Sequence, residues 1–240
     1  MSRFKPKLLY TLGGFVLLTA SALLLWYVVS TPTDFPAAQA EGILIAHAGG
    51  GIDGQTYTDS REAVEASISK GFKFIELDLL LTTDNALVAG HDWKELNRLL
   101  GLSGEEPRNL AEVKERRILN KYTPLDAQGI NDIFLKHPDV YLVTDKLDDF
   151  EQLTAQLTIP RNRLLVEVFS YTDYVKALLR GINYPMLCFW KKEKFDRLRY
   201  KLLFALGRIR MITIPAKIIP GAEKELSALL KSGVKIFAFS

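Results

Sequence analysis

The sequence predicts an α/β fold, and within that class a (β/α) barrel, on two observations. Short apolar runs alternate with helix-compatible segments from residue 43 onward, the rhythm of strands crossed over by helices. Residues of functional type stand at or near the C-terminal ends of those runs: His47, the pair Glu76 and Asp78, Asp145, and Trp190. Barrels gather their sites at those ends. An open doubly wound sheet is the alternative; it would carry a G-x-G-x-x-G fingerprint after its first strand, and the glycines of residues 47–54 (HAGGGIDG) are read as falling at another spacing.

Composition sets bounds. With 48% hydrophobic and 25% charged residues, the chain is globular with an apolar shift. A net charge of +3 is too small to imply a nucleic-acid partner. Cys188 is the single cysteine, so no internal disulfide can form.

Residues 1–30 read as an N-terminal membrane anchor. Arg3, Lys5 and Lys7 precede residues 8–30, which carry no charge, and about 20 apolar residues span a bilayer core as a helix. The basic flank puts the N-terminus in the cytoplasm and the remainder on the periplasmic or extracellular face. A cleaved signal peptide is the alternative, with Ala38-Gln39-Ala40 as its cleavage site. Residues 31–42 (TPTDFPAAQAEG) form a linker, and residues 43–240 form one domain large enough for a sizeable core.

Residues 43–46 are the first predicted strand. His47-Ala48-Gly49-Gly50-Gly51 breaks it, and glycines there permit close backbone approach to a ligand. Residues 60–70 read as a helix, with Asp59 or Ser60 as N-cap and Gly71 at its end. Residues 72–81 form a strand apolar enough to be covered on both faces. Glu76 and Asp78, two apart on it, point to the same side. Burying both demands compensation, either by lysines or by a hard divalent cation. A hairpin turn at residues 82–85 leads through residues 87–90 to His91-Asp92. Two of the chain's three histidines thus flank the acidic pair, and one can take a proton while the other gives one.

Residues 93–122 are mixed polar sequence with a helix at 109–117; a helix over 124–136 is interrupted by Gly129. His137 reads as a surface or capping residue. Further strands are predicted at 140–144, ending in Asp145-Lys146, at 164–169, carrying Glu167, and at 185–190, 211–215 and 234–239. Helices are predicted at 148–157, 171–180 and 221–231. Residues 191–210 are basic and amphipathic, either a solvated helix face or a contact with anionic lipid headgroups.

Taken together, residues 47–92 resemble the glycerophosphodiester phosphodiesterase family, part of the phospholipase-C-like phosphodiesterase superfamily. The family's His-Arg-Gly is matched by His47-Ala48-Gly49, and its Asn-Thr by Asp59-Ser60. Its Gly-(three residues)-Ile-Glu-x-Asp is matched by Gly71 through Ile75-Glu76-Leu77-Asp78. Its Thr-x-Asp-Gly turn corresponds to Thr82-Thr83-Asp84-Asn85, and its His-Asp to His91-Asp92.

The resemblance implies a TIM-like barrel, a divalent cation (Mg2+ or Ca2+) on Glu76 and Asp78, and His47 and His91 as acid and base. It also implies Lys146 as a phosphate-binding lysine, with Asp145 a candidate third metal ligand; Gly49 and Trp190 complete the predicted substrate-binding set. Three departures stand out. The family's Glu-x-Lys is here Thr144-Asp145-Lys146, so the carboxylate falls one residue late and reaches the metal only if the strand ends or bulges. Ala48 replaces an arginine, removing a charge-assisted phosphate contact. If residues 87–91 pair back as a hairpin, the barrel is one strand short at its C-terminus.

The expected function is metal-dependent cleavage of a glycerophosphodiester, or a related lipid or polymer phosphodiester, by histidine acid–base catalysis. Two alternatives remain: a phospholipase-type lyase releasing a cyclic phosphate, and a membrane-tethered binding barrel that has lost catalysis.

Overall fold

The structure, a computed structural model of the chain, describes residues 14–23, 26, 44–191, 198–205 and 209–239. In chain order the elements are β1 (Ile45–Ala46), α1 (Arg61–Ser69), β2 (Phe74–Leu81), β3 (Leu87–Ala89), α2 (Trp93–Leu99), α3 (Leu110–Lys114), α4 (Ala127–Lys136) and β4 (Tyr141–Asp145). Then follow α5 (Phe150–Gln156), β5 (Leu164–Val168), α6 (Tyr171–Leu179), β6 (Tyr184–Cys188), α7 (Leu198–Ala205), β7 (Met211–Pro215), α8 (Glu223–Lys231) and β8 (Lys235–Phe239).

The sheet order is β1-β2-β4-β5-β6-β7-β8, with every neighbouring pair parallel. β3 lies off this path, antiparallel to β2, with Leu79 opposite Ala89 and Leu81 opposite Leu87. The hairpin expected at residues 82–85 is present: Asn85 takes φ 58°, and the Thr82 hydroxyl accepts from the Ala86 amide at 2.8 Å.

Alternation along each strand divides the core in two. Ile75, Leu77 and Leu79 of β2 join the larger cluster beneath the helices. Phe74, Tyr141, Val143, Leu165, Met186 and Phe237 form a second cluster inside the sheet, with Ile45 of β1 packed against it. Side chains from the first and last strands meet the same interior cluster, so the sheet is curled. Among the described strands none pairs β8 with β1, so the barrel is incomplete.

Polar caps fix the helix starts. The Ser60 hydroxyl accepts from the Ala63 amide at the start of α1, and Asn109 and Glu112 make a reciprocal capping box on α3. The α4 helix runs through Gly129 without interruption. A Cβ there would lie 3.0 Å from both Arg61 Nη2 and Leu125 Cδ2, so the glycine sits at a close side-chain approach rather than at a break. The backbone of His137 caps that helix by donating to Ile133 O.

Three expectations need correction. The α2 helix falls in the stretch expected to be mixed polar sequence; Asp92 starts it by accepting from the Glu95 amide at 2.8 Å. Gly49, Gly51 and Gly54 do stand at G-x-G-x-x-G spacing, so glycine spacing alone does not exclude the nucleotide fold. The backbone does: His47–Gly49 is a 3-10 turn, and the next helix starts only at Arg61. The membrane anchor, third, finds no support. Residues 14–23 and 26 are helical and exposed. Among the described residues no helix is long and apolar enough to cross a membrane. The rest of residues 8–30, except residue 26, lies outside the described residues, as do residues 31–42. Within residues 191–210, Tyr200 and Phe204 of α7 are buried, with Phe189 packed against both rings.

Candidate active site

The site begins where β1 ends. The His47–Gly49 turn holds Ala48 at φ 49°, a left-handed conformation that costs a non-glycine residue roughly 1–2 kcal/mol. Two hydrogen bonds hold it there. The Ala48 amide donates to Glu76 Oε2 at 2.7 Å, and the Asp59 amide donates to Ala48 O at 3.1 Å. Ala48 is fully buried, so the position that carries arginine in the motif sends no side chain into the cavity.

Gly50 follows at φ 91°, and a Cβ there would stand 2.1 Å from Ser67 Oγ, which already donates to Gly49 O at 2.7 Å. Gly50→Ala is therefore expected to destabilise the fold by about 1–3 kcal/mol, read as a lower urea midpoint at unchanged slope. An unchanged midpoint would refute this packing.

Beyond the turn, a cavity of about 560 Å³ opens at the C-terminal ends of the parallel strands. His47, Glu76, Asp78, His91, Asp145 and Lys146 all line it. Trp190 stands at its wall, its ring 5.0 Å from that of Phe239. Gly49 is buried under the turn and is not among the lining residues.

The position of Asp145 follows from register. It pairs with Asp78, as Val143 pairs with Glu76. Residues two apart share a face, so Asp145 joins Asp78 on the inner side while Thr144 turns away. Lys146 then takes φ 63°, which ends the strand and lets this adjacent residue line the cavity too. The one-residue displacement from Glu-x-Lys is absorbed by the end of the strand.

Each histidine has a carboxylate neighbour. His47 Nε2 lies 3.7 Å from Glu76 Oε2, and its ring meets Tyr57 edge-on at 5.0 Å. Burial lowers the His47 pKa below its ordinary value; Asp78 opposes this, while His91 and Lys146 add to it. His91 Nδ1 lies 3.1 Å from Asp92 Oδ2. Asp92 is held below the usual carboxylate range, chiefly by the Glu95 amide.

The acidic groups are crowded. Burial, then Asp78 and Asp59, pushes the Glu76 carboxyl well up. Burial, then Asp78, raises Asp145 to about 9. Burial raises Glu167 on β5 to about 7. Asp59, read from sequence only as a candidate cap, is itself buried and raised; its Oδ1 accepts from the Asp78 amide at 3.3 Å.

Among the described residues two buried carboxylate oxygens, Asp78 Oδ2 and Asp145 Oδ1, have no hydrogen-bond partner. Buried carboxylate oxygens without donors are costly, and hard divalent cations favour such ligands. His47, Glu76 and Asp78 each offer a ligand atom within 4.8 Å of the others. The donor set present therefore fits a divalent cation. Tyr57, Asp59 and Lys217 were not picked out from sequence as site residues. Asp59 alone carried a signal, as part of the matched Asp59-Ser60 pair.

Fold and site together define an α/β barrel with histidines and carboxylates gathered in one cavity. The Glycerophosphoryl diester phosphodiesterase family model matches residues 51–194, and the chain belongs to that family. A curated mouse relative, Lysophospholipase D GDPD3, is 26% identical over 235 residues, covering 86% of this chain. The chain spans only 65% of that relative's length. A glycerophosphoryl diester phosphodiesterase from Parabacteroides distasonis superposes with TM-score 0.64 at 19% identity, over 88% of this chain and 75% of that one. An Oleispira antarctica phosphodiesterase, solved with the product sn-glycerol-3-phosphate, gives 0.62 at 18% identity, over 82% and 83% of the two chains. At these identities the likeness of the solved structures speaks to fold.

Proposed function

We propose that the chain is a phosphodiesterase that cleaves a glycerophosphodiester with the help of a divalent cation. The observation that carries this reading is the convergence of His47, His91, Glu76, Asp78 and Asp145 on one cavity. Glu76 and Asp78 would hold the cation, with Asp145 beside them on the inner face. When bound, the cation supplies neutralisation of phosphoryl charge.

The remaining work falls to the chain's own groups. His47 is suited to the base, because its lowered pKa keeps the ring neutral and able to take the proton of the attacking hydroxyl. That hydroxyl is the glycerol 2-hydroxyl by resemblance, which gives a cyclic phosphate that water opens. His91 is suited to the acid: with Nδ1 engaged by Asp92, its Nε2 is left to deliver a proton to the leaving oxygen. Lys146 lines the cavity where it can meet phosphate.

The experiment is hydrolysis of glycerophosphocholine by the full chain, with and without EDTA. Activity abolished by EDTA and restored by excess Mg2+ or Ca2+ is expected; activity indifferent to chelation contradicts the reading. Phosphorus NMR of the products separates full hydrolysis from release of a cyclic phosphate.

A second reading of the substrate is favoured by the exposed rings of Phe169 and Trp190, stacked 6.4 Å apart beside the cavity. They suit a substrate with an acyl chain, as the mouse relative's name indicates for that protein. Preference for lysophosphatidylcholine over glycerophosphocholine would favour it. Placement of the domain outside the cytoplasm is a proposal supported by the charge pattern of residues 1–30 alone; fractionation of cells expressing the full chain tests it.

A further inference from the structure

The cavity poses an electrostatic problem. Four carboxylates line it, Glu76, Asp78, Asp145 and Glu167, yet a phosphodiester is an anion. A cation on the deep carboxylates meets part of its charge. The phosphoryl oxygen turned toward the mouth needs a donor from the wall.

Ala48 provides none, being fully buried. The fixed positive charges among the lining residues are Lys146 and Lys217. Lys146 stands on the side of the acidic group, its Nζ 4.0 Å from Asp145 Oδ2, and can meet phosphate from there only. Lys217 is exposed, and among the described residues nothing forms an ion pair or hydrogen bond with its side chain.

The backbone explains its direction. β7 ends at Pro215, and Ala216–Ile218 make a 3-10 turn closed by the Ile219 amide donating to Ala216 O at 3.1 Å. Ile218 and Ile219 pack against the core cluster beneath the helices. The turn is therefore pinned on one side, while Ala216 and Lys217 on the other side line the cavity. A lysine at the end of a strand, on a turn anchored by two isoleucines, is a positioned charge.

We propose that Lys217 is a substrate-binding residue, donating from Nζ to a non-bridging phosphoryl oxygen and holding the phosphodiester, and the phosphomonoester product, against the acid–base pair. This rests on the phosphodiesterase reading for its substrate, though not for its anion. The interaction is made with the ground-state anion as well as with the transition state, so its removal acts chiefly on KM.

The test uses the full chain with saturating Mg2+ or Ca2+, as wild type, Lys217→Ala and Lys217→Arg. It reads kcat and KM on glycerophosphocholine and inhibition by sn-glycerol 3-phosphate. Lys217→Ala is expected to raise both KM and the inhibition constant by about 10- to 100-fold, the range of a charge-assisted hydrogen bond. Its kcat and melting temperature should stay close to wild type. Lys217→Arg should restore KM to within about threefold, since a guanidinium also binds phosphate.

An unchanged KM and inhibition constant in Lys217→Ala overturns the proposal. So does an arginine variant as impaired as the alanine one, which would assign the lysine a steric role. If the wild type cleaves no glycerophosphodiester, the function proposed above fails. Calorimetric titration with sn-glycerol 3-phosphate then decides Lys217 by itself: binding lost in Lys217→Ala upholds it, while equal binding, or none in the wild type, overturns it.

Discussion

His47→Ala is expected to lower kcat by about 10²–10⁴-fold, the usual contribution of a positioned general base. The ring is half-exposed at the cavity wall, beside Tyr57 and within 3.7 Å of Glu76. Because it also stands among the groups able to hold a cation, the variant needs a second readout. If His47 serves as base, cation affinity falls by less than about tenfold while kcat collapses. If the ring is instead a ligand, affinity and rate fall together. The pH profile adds a further check. A lowered pKa keeps the base form populated further into acid, so the acid limb of kcat/KM should lie below the ordinary histidine value of 6.5. An acid limb above that value, or a variant with wild-type kcat, would contradict the role.

The second large effect concerns stability without cation. The Asp145 carboxyl is raised from 3.8 to about 9, Glu167 from 4.5 to about 7, and Glu76 well above its ordinary value, each first by burial. A carboxyl whose pKa is higher in the folded chain holds a proton that the unfolded chain has released. Between the two values the folded state binds more protons, so stability is greatest on the acid side and falls as pH rises. The slope is about 1.4 kcal/mol per pH unit for each retained proton. The chelated protein is thus expected to lose melting temperature steadily from pH 5 to about pH 9. Saturating cation, which binds the ionised form, should flatten or reverse the loss. Thermal scans across that range with EDTA and with Mg2+ or Ca2+ decide the matter. A chelated protein that gains stability toward alkaline pH would show that these carboxyls are not crowded and desolvated together.

Much of the fold was legible because strand and helix carry different periods. Apart from Glu76 and Asp78, Phe74–Leu81 is apolar, as a strand covered on both faces should be, and the turn at Thr82–Asn85 carries its own signature. The pair Glu76 and Asp78 could be placed on one side from spacing alone, since alternation fixes direction within a strand.

What was not legible depends on where strands stop and what packs beneath them. Asp145 looked misplaced by one residue. Its inward direction follows from pairing with Asp78 and from the left-handed Lys146, neither of which sequence displays. The α2 helix was missed because its capping residue, Asp92, had been read only as part of the His-Asp motif. Lys217 carried no motif at all; it enters the cavity because Ile218 and Ile219 pin its turn. Gly129 was read as a break from composition, whereas it lies within a continuous helix, close against the Arg61 and Leu125 side chains.

The central claim is that Glu76 and Asp78, brought to one side of β2 and facing Asp145, make a cation site. Calorimetric titration of Mg2+ and Ca2+ into the EDTA-treated, dialysed full chain and into Glu76→Gln tests it most directly. One cation per chain in the wild type, with affinity lost in the variant, is the predicted result. Absence of binding in the wild type, or equal binding by both proteins, would contradict it.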